Sequence, residues 1–519
     1  MIDRTYGSAI DAYGERYPSE LALVCGDMRL NYREFFGRVR ATGRALRATG
    51  LEPGDRIAIL LADSAELLEV LHGALWAGLT VVPLNVRLAL DDHRYMVRDA
   101  GARALVFDAE HAERAHAILE DVDVAVAIAT VDEAVPIGGQ LLPRLVTGRA
   151  RAAGAPAVSP DAPCWIQYTG GTTGLPKGAV HSHRTSLSSF YSCVSELDVR
   201  PGEITAHVAP LTHSGAAYLM PVWARGGAHV LLGGFDPERL LDTIEREHVT
   251  STLVVPTMLY ALLDHAGIGD RELSSLRTIT YGAAPIGPER LQQALAVFGP
   301  ILQQLYGQTE APAQITMLTK QDHLRALNDP GLLRSCGRPV AIADVACVDD
   351  HLQRVADGTP GEIVVRGPNV MLGYLDKPDE TAAALRGGWL CTGDIGVRDE
   401  RGYFSIVDRK KDMIISGGFN VYPKEIEQVL FAHPSVADAC VVGIPDPKWG
   451  EAVKAVIVAR DGAQTSPAEL IDFVKERKGS VLAPKSVEFV DAIPLTSVGK
   501  HDKKAVRSAY WQGTERAVN

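Results

Sequence analysis

Between His229 and Pro256 the chain alternates two periodicities in a way that few folds accept. An apolar run, His229 to Leu232, is followed by Asp236 as an N-cap, Pro237 in the first turn, and Leu240, Leu241, Ile244 and His248 on one helical face. Thr252-Leu253-Val254-Val255-Pro256 comes next, so strand, helix and strand follow in order. Strands that run in the same direction need such a crossover, and a parallel α/β sheet is the expected result. The pattern also holds earlier, where Phe35, Phe36, Val39 and Leu46 read as a helix between Tyr32 and Gly50. Pro53-Gly54 then breaks the chain before the buried strand Ile57 to Leu61.

A chain of 519 residues exceeds the size at which one core usually suffices, so two or more units are expected. Residues 148–163, rich in Ala, Gly, Pro and Arg, read as a surface connection. After about residue 360 the texture changes to short strand-like runs, Glu362 to Arg366 and Tyr403 to Val407. Five charges follow, Asp408-Arg409-Lys410-Lys411-Asp412, readable as a solvated turn or as a hinge. The hundred or so residues beyond are enough for a small α+β domain. The expected fold is therefore a large N-terminal α/β domain with mixed sheets and a smaller C-terminal α+β domain. A net charge of -12 argues against broad nucleic-acid binding, and seven cysteines without C-x-x-C spacing indicate neither a disulfide framework nor a zinc site. No run has the length of a membrane span, the N-terminus does not resemble a signal peptide, and a cytoplasmic setting is the expectation.

The stretch Tyr168 to Val180 has the chemistry of a polyphosphate loop. Gly170, Gly171, Gly174 and Gly178 let backbone approach a phosphate, Thr169, Thr172 and Thr173 add hydroxyl donors, and Lys177 adds a compact positive charge. It is not the G-x-x-x-x-G-K-[ST] loop of kinases and GTPases, because Lys177 lies between Pro176 and Gly178. Downstream, Tyr306-Gly307-Gln308-Thr309-Glu310 offers a hydroxyl and a carboxylate suited to magnesium on phosphate oxygens. Asp394, in Trp389-Leu390-Cys391-Thr392-Gly393-Asp394, suits the two hydroxyls of a ribose. Ser416-Gly417-Gly418-Phe419 follows the charge run, and Gly499-Lys500 presents a lysine near the C-terminus.

In this order and spacing the motifs resemble the adenylate-forming family of acyl-CoA synthetases, aryl-CoA ligases, firefly luciferase and peptide-synthetase adenylation domains. The resemblance spans nearly the whole chain. It implies an N-terminal domain over 1–408, a hinge over 409–412 pivoting at Lys411, and a mobile C-terminal lid over 413–519. It also implies ATP, Mg2+ and CoA as cofactors and a small carboxylic acid as substrate, with a homodimer left open. Lys500 would neutralise charge on carboxylate and phosphate during adenylation. Thr169 to Lys177 would hold the β- and γ-phosphates, Glu310 the magnesium, and Thr309 the α-phosphate. Tyr306 would flank the adenine near Gly282-Ala283-Ala284, and Asp394 and Arg409 would hold the ribose. For thioester formation the lid would turn about Lys411 and bring Gly417-Gly418-Phe419 to the pantetheine tunnel. Trp449 reads two ways, as a cover for CoA or as lid packing.

Three departures from the family pattern stand out. Gly171 replaces a frequent serine, and Leu495-Thr496-Ser497-Val498 replaces a segment that commonly carries arginine before Gly499-Lys500. Val481-Leu482 replaces a Tyr-Lys pair found in many CoA ligases, which leaves Arg477, Lys478 or Lys485 for the CoA phosphates. Adenylation domains that select amino acids carry an aspartate in an F-D-x-S motif, whereas Pro210 to Tyr218 holds no acid. His213 matches an aromatic position that closes acyl and aryl pockets, or else is a hydrogen-bonded histidine under the loop. Tyr281, Gly282 and Gly307 belong to the expected pocket, whose small residues leave room for an apolar acid, fatty or arylalkanoic. The expected activity is an AMP-forming acid:CoA ligase. Two alternatives stand beside it, an enzyme that loads a carrier-protein phosphopantetheine and a non-catalytic acyl-adenylate-binding protein.

Overall fold

The structure, a computed structural model, describes residues 3–131, 134, 139–142, 154–169, 175–284, 286–416, 419–460, 462–495 and 501–511. The chain divides into two compact units, one of residues 1–170, 176–345 and 365–390, the other of residues 346–364 and the chain from 391 onward.

Two large mixed sheets organise the first unit. One has nine strands in the order Arg338–Pro339, Ala311–Leu318, Leu302–Gln308, Thr278–Gly282, Ser251–Val254, Ile204–His207, Ala228–Leu231, Leu21–Cys25 and Met28–Asn31. Its centre is parallel, from Leu302–Gln308 through to Leu21–Cys25, and antiparallel strands close both edges. The helix expected after Asp236 spans Pro237–Glu247, with the Asp236 carboxylate accepting from the Arg239 N–H at 2.8 Å. His248 does not continue its apolar face. It is the C-cap, in the left-handed region at φ 51°, where it stops the helix ahead of Ser251–Val254. Pro256 likewise falls outside the strand and starts the helix Pro256–Leu263, as its missing N–H allows.

The second sheet has eight strands, including Arg56–Leu60, Thr80–Pro83, Pro163–Thr169, Lys177–Ser182 and the two-residue strand Gly373–Tyr374. The helix Tyr32–Ala48 is capped by Asn31, whose side chain accepts from the Glu34 N–H while Glu34 accepts from the Asn31 N–H. It buries Phe35 and Phe36 against Trp223, whose ring centroid lies 4.9 Å from Phe35 and 4.7 Å from His229. Trp223 is fully buried, so Trp223→Ala should cost about 3–5 kcal/mol of stability. Residues 148–153 of the expected connection lie outside the described residues, and Gly154 to Ser159 carry no regular structure.

In the second unit, Val436–Asp446 and Gly450–Ala459 form a long antiparallel pair, with Ile414–Ser416 and Ser486–Phe489 alongside Gly450–Ala459. Helices Pro423–Phe431 and Pro467–Lys478 cover one face through Ile426, Leu430, Leu470 and Val474. The other face packs Cys440, Val442 and Val456 against Val506 of the helix Lys503–Ser508. The molecule thus has a large α/β part with mixed sheets and a small α+β part at its C-terminal end. Among the described residues no helix is long and apolar enough to cross a membrane.

Candidate active site

Ligands of open α/β sheets bind beyond the carboxyl ends of the parallel strands. In the nine-stranded sheet those ends carry Gly282-Ala283-Ala284, Tyr306 to Glu310, and the loop from Val208 to His213. Thr309 and Glu310 form the connection of a hairpin in which Gln308 lies opposite Ala311. Three contacts hold that turn. The His181 ring donates from Nε2 to the Thr309 carbonyl at 2.8 Å, the Met371 N–H donates to the Glu310 carbonyl at 2.8 Å, and the Tyr374 hydroxyl donates to Glu310 Oε1 at 2.7 Å. A carbonyl can only accept, so His181 carries its hydrogen on Nε2. Burial pushes this imidazole down to about 4, which keeps it neutral.

Gly307 and Gly282 owe their identity to backbone approach. A Cβ on Gly307 would lie 2.7 Å from the Ala313 carbonyl oxygen, and one on Gly282 would lie 2.6 Å from that of Leu305. Ala283 is exposed and sits at φ 65°, an uncommon conformation for a residue with a Cβ. Tyr281 is fully buried, with its hydroxyl 2.8 Å from His323 Nε2 and 3.3 Å from Gln304 Oε1, so its backbone is what it can offer a ligand. Tyr306 is buried beside the turn.

Thr169 pairs with Lys177 across the antiparallel strands Pro163–Thr169 and Lys177–Ser182, which closes the base of the loop expected to hold phosphates. Gly170, Gly171, Thr172, Thr173 and Gly174 lie outside the described residues. The strand before the loop is pinned by Tyr168, whose hydroxyl donates to Asp99 Oδ2 at 2.7 Å. Lys177 Nζ stands 5.2 Å from the centroid of the Tyr374 ring. His213 is half-buried, with Nδ1 3.0 Å from Thr212 Oγ1, and burial lowers its pKa. Its loop is fixed by Asp63, which accepts from the Leu211 N–H at 3.1 Å, and by Gln167, which donates to the Thr212 carbonyl at 3.0 Å.

The second unit carries another group of the expected residues. Asp394 is buried and its Oδ1 lies 2.6 Å from Arg409 Nε, the two residues being opposite each other on paired strands. The strand just ahead of Asp394 is held by Thr392, which donates to the Ile363 carbonyl, and by Glu362, which accepts from the Gly393 N–H and pairs with Lys410. Asp408 is buried and pushed up to about 6 by desolvation, and it accepts from the Lys424 and Arg409 N–H groups. Burial lowers the Lys411 ammonium from its ordinary value. Ser416 and Phe419 pair on either side of Gly417 and Gly418, which lie outside the described residues. Trp449 is 40% exposed, with Lys448 Nζ 4.6 Å from its ring centroid.

Lys500 also lies outside the described residues. Its neighbours are anchored: His501 bridges to Leu495 and lies 2.9 Å from Asp438, and Lys503 pairs with Glu427 at 2.9 Å. Of the three basic groups expected for CoA phosphates, Arg477 stacks 3.5 Å over the Phe473 ring, Lys478 lies 3.5 Å from Glu425, and Lys485 donates to the Ser480 carbonyl.

Among the described residues no three His, Cys, Asp or Glu side chains converge on a common point. A single carboxylate such as Glu310 fits magnesium, which takes most of its ligands from phosphate and water and few from protein. Sequence reasoning missed His181, Met371 and Tyr374. They act across 128, 61 and 64 residues, through folded contacts that no local spacing signals.

The chain matches the AMP-binding enzyme family over residues 10–375 and the AMP-binding enzyme C-terminal domain over residues 425–500. It is similar to a medium/long-chain-fatty-acid–CoA ligase of Mycobacterium tuberculosis, at 42% identity over 97% of this chain and 90% of that protein. A feruloyl-CoA synthase of an Amycolatopsis species is 37% identical, over 95% of this chain and 96% of that protein. The crystal structure of ATP-bound MatB from Rhodopseudomonas palustris matches with a TM-score of 0.88 at 28% identity, covering 99% of this chain and 100% of that one.

Proposed function

The chain belongs to the AMP-binding enzyme family, among its AMP-forming acid–CoA ligases, and on that premise we propose that it adenylates an apolar carboxylic acid and passes the acyl group to the thiol of CoA. The observation that carries the adenylation step is the Glu310 turn at the carboxyl edge of a parallel sheet, with its carboxylate held by Tyr374 and Lys177 beside the same ring. A carboxylate is a poor acyl donor because oxide would have to leave. Attachment to the α-phosphate of ATP, with release of pyrophosphate, supplies a good leaving group.

In this reading Thr169, Lys177 and the loop between them hold the β- and γ-phosphates, and Thr309 contacts the α-phosphate. Magnesium, when bound, offsets the phosphate charge, and Glu310 is the carboxylate that would hold it. Lys500 stabilises the charge that builds on carboxylate and α-phosphate, and Asp394 with Arg409 binds the ribose. Residues 409–412 form the hinge between the 1–408 domain and the 413–519 lid. A turn at Lys411 then exchanges Lys500 for Gly417-Gly418-Phe419, and the exposed Trp449 covers part of CoA.

Two features support an apolar acid, fatty or arylalkanoic. The loop Pro210 to Tyr218 holds no carboxylate that could pair an ammonium group, and the relatives' acids, a fatty chain and ferulate, both carry extended apolar bodies. A carrier-protein acceptor is the second reading. It is favoured by Val481-Leu482 and by the contacts that already engage Arg477, Lys478 and Lys485. The test is AMP and pyrophosphate release over a panel of fatty, cinnamic, benzoic and alicyclic acids, with and without CoA. Turnover of one acid class that depends on CoA is the expected result. Pyrophosphate release that CoA does not stimulate favours the carrier, and no release with any acid removes the enzymatic reading.

A further inference from the structure

Tyr374 lies 64 residues beyond Glu310 and outside every motif described above, yet it touches two of them. Its hydroxyl donates to Glu310 Oε1 at 2.7 Å, and its ring centroid lies 5.2 Å from Lys177 Nζ. The backbone on either side is fixed independently of that hydroxyl. Gly373 and Tyr374 pair with Val180 and Ala179, the Leu372 N–H donates to the Val180 carbonyl, and the Leu375 N–H donates to the Gly178 carbonyl. The Tyr374 N–H donates to Thr381 Oγ1 at 2.9 Å, and Lys377 Nζ lies 3.5 Å from Asp99, the residue that also anchors Tyr168. Gly373 has φ 153°, and a Cβ there would lie 2.8 Å from Thr381 Cγ2, so this segment is built for close approach.

We propose that Tyr374 is a positioning residue: its hydroxyl presets the Glu310 carboxylate for a divalent cation on the nucleotide phosphates, while its ring steadies Lys177. The proposal rests on the adenylating function above. A glutamate free to rotate must be ordered each time the cation binds, whereas one already held through Oε1 keeps its second oxygen for the ion. Burial and the Glu310 charge both raise the phenol above its ordinary range, so it remains a donor at any working pH.

The test is Tyr374→Phe, which keeps the ring and its place over Lys177 and removes only the hydroxyl. The first readout is Mn2+ binding to the protein with ATP present, followed by electron paramagnetic resonance. The second is the Mg2+ dependence of acid-dependent pyrophosphate release. Roughly tenfold weaker Mn2+ binding, with the half-saturating Mg2+ raised in parallel and kcat at saturating Mg2+ nearly retained, is the expected outcome. In a Glu310→Gln background the same substitution should change Mn2+ binding by less than about twofold, because the two residues act as a unit. Unchanged Mn2+ affinity in Tyr374→Phe, or an equal loss in both backgrounds, overturns the proposal. Wild-type protein that releases no pyrophosphate with any acid overturns the functional reading instead, and the Mn2+ comparison still decides the role of the hydroxyl.

Discussion

The two units place their polar groups by different physical means. In the first, Glu310, Thr309 and Lys177 stand on turns at strand ends, and neutral partners hold them: the Tyr374 hydroxyl, the His181 imidazole and the Met371 amide. In the second, charge holds charge. Asp394 meets Arg409, Glu362 meets Lys410, Glu427 meets Lys503, and Arg507 lies 3.7 Å from Asp412. Neutral donors on a sheet give fixed geometry that ionic strength scarcely alters. Of the ion pairs, Glu427–Lys503 and Arg507–Asp412 have both partners largely buried, and such pairs stabilise little over apolar packing but penalise the loss of one partner.

The largest effect that would sharpen this contrast comes from Lys500, the lysine proposed to act in adenylation. Lys500→Ala should lower acid-dependent pyrophosphate release by roughly a hundredfold or more while sparing thioester formation from supplied acyl adenylate. Equal loss in both assays would end the division of labour. Lys411→Pro should have the reverse pattern, since proline fixes φ and removes an N–H at the proposed pivot. Thioester formation that survives this change would remove Lys411 as the hinge. Lys503→Met should next destabilise the second unit by about 3–5 kcal/mol, because Glu427 would stay buried without its partner, and urea unfolding would read it. A loss near zero would break the claim that charge holds this unit together.

A further contrast concerns pH, and the units should differ in sign. Five buried histidines of the first unit, His72, His181, His183, His207 and His323, are pushed down from 6.5 to about 4 by desolvation. Between these values the unfolded chain binds protons that the folded one refuses, so their contribution is present above 6.5 and lost as pH falls toward 4. Asp408 moves oppositely, from 3.8 up to about 6, so its folded state keeps a proton and loses stability as pH rises through that window. Thermal melts from pH 7 to 4 should show the first unit weakening more steeply than the second, and parallel loss would contradict the assignment.

The strand–helix–strand unit around Asp236 was legible because cap, proline and apolar spacing all lie within a few residues of one another. His248 was misplaced because helix periodicity cannot see a left-handed cap, which is set by where the next strand must begin. The candidate site is legible in its motifs and illegible in their support. Lys177, Glu310 and Asp394 announce themselves by local chemistry, whereas Tyr374 joins Lys177 and Glu310 only once two strands have paired. Gly282 and Gly307 have a further role that local sequence does not show: their missing Cβ atoms make room for the Leu305 and Ala313 carbonyls.

The most direct measurement is mass spectrometry of the protein incubated with Mg2+, ATP and the acid that the panel selects, first without CoA and then after its addition. A bound acyl adenylate should accumulate in the first stage, and CoA should convert it to acyl-CoA with release of AMP. Thioester formed with ADP as the other product, or no adenylate under any of these conditions, would contradict adenylation as the chemistry of this chain.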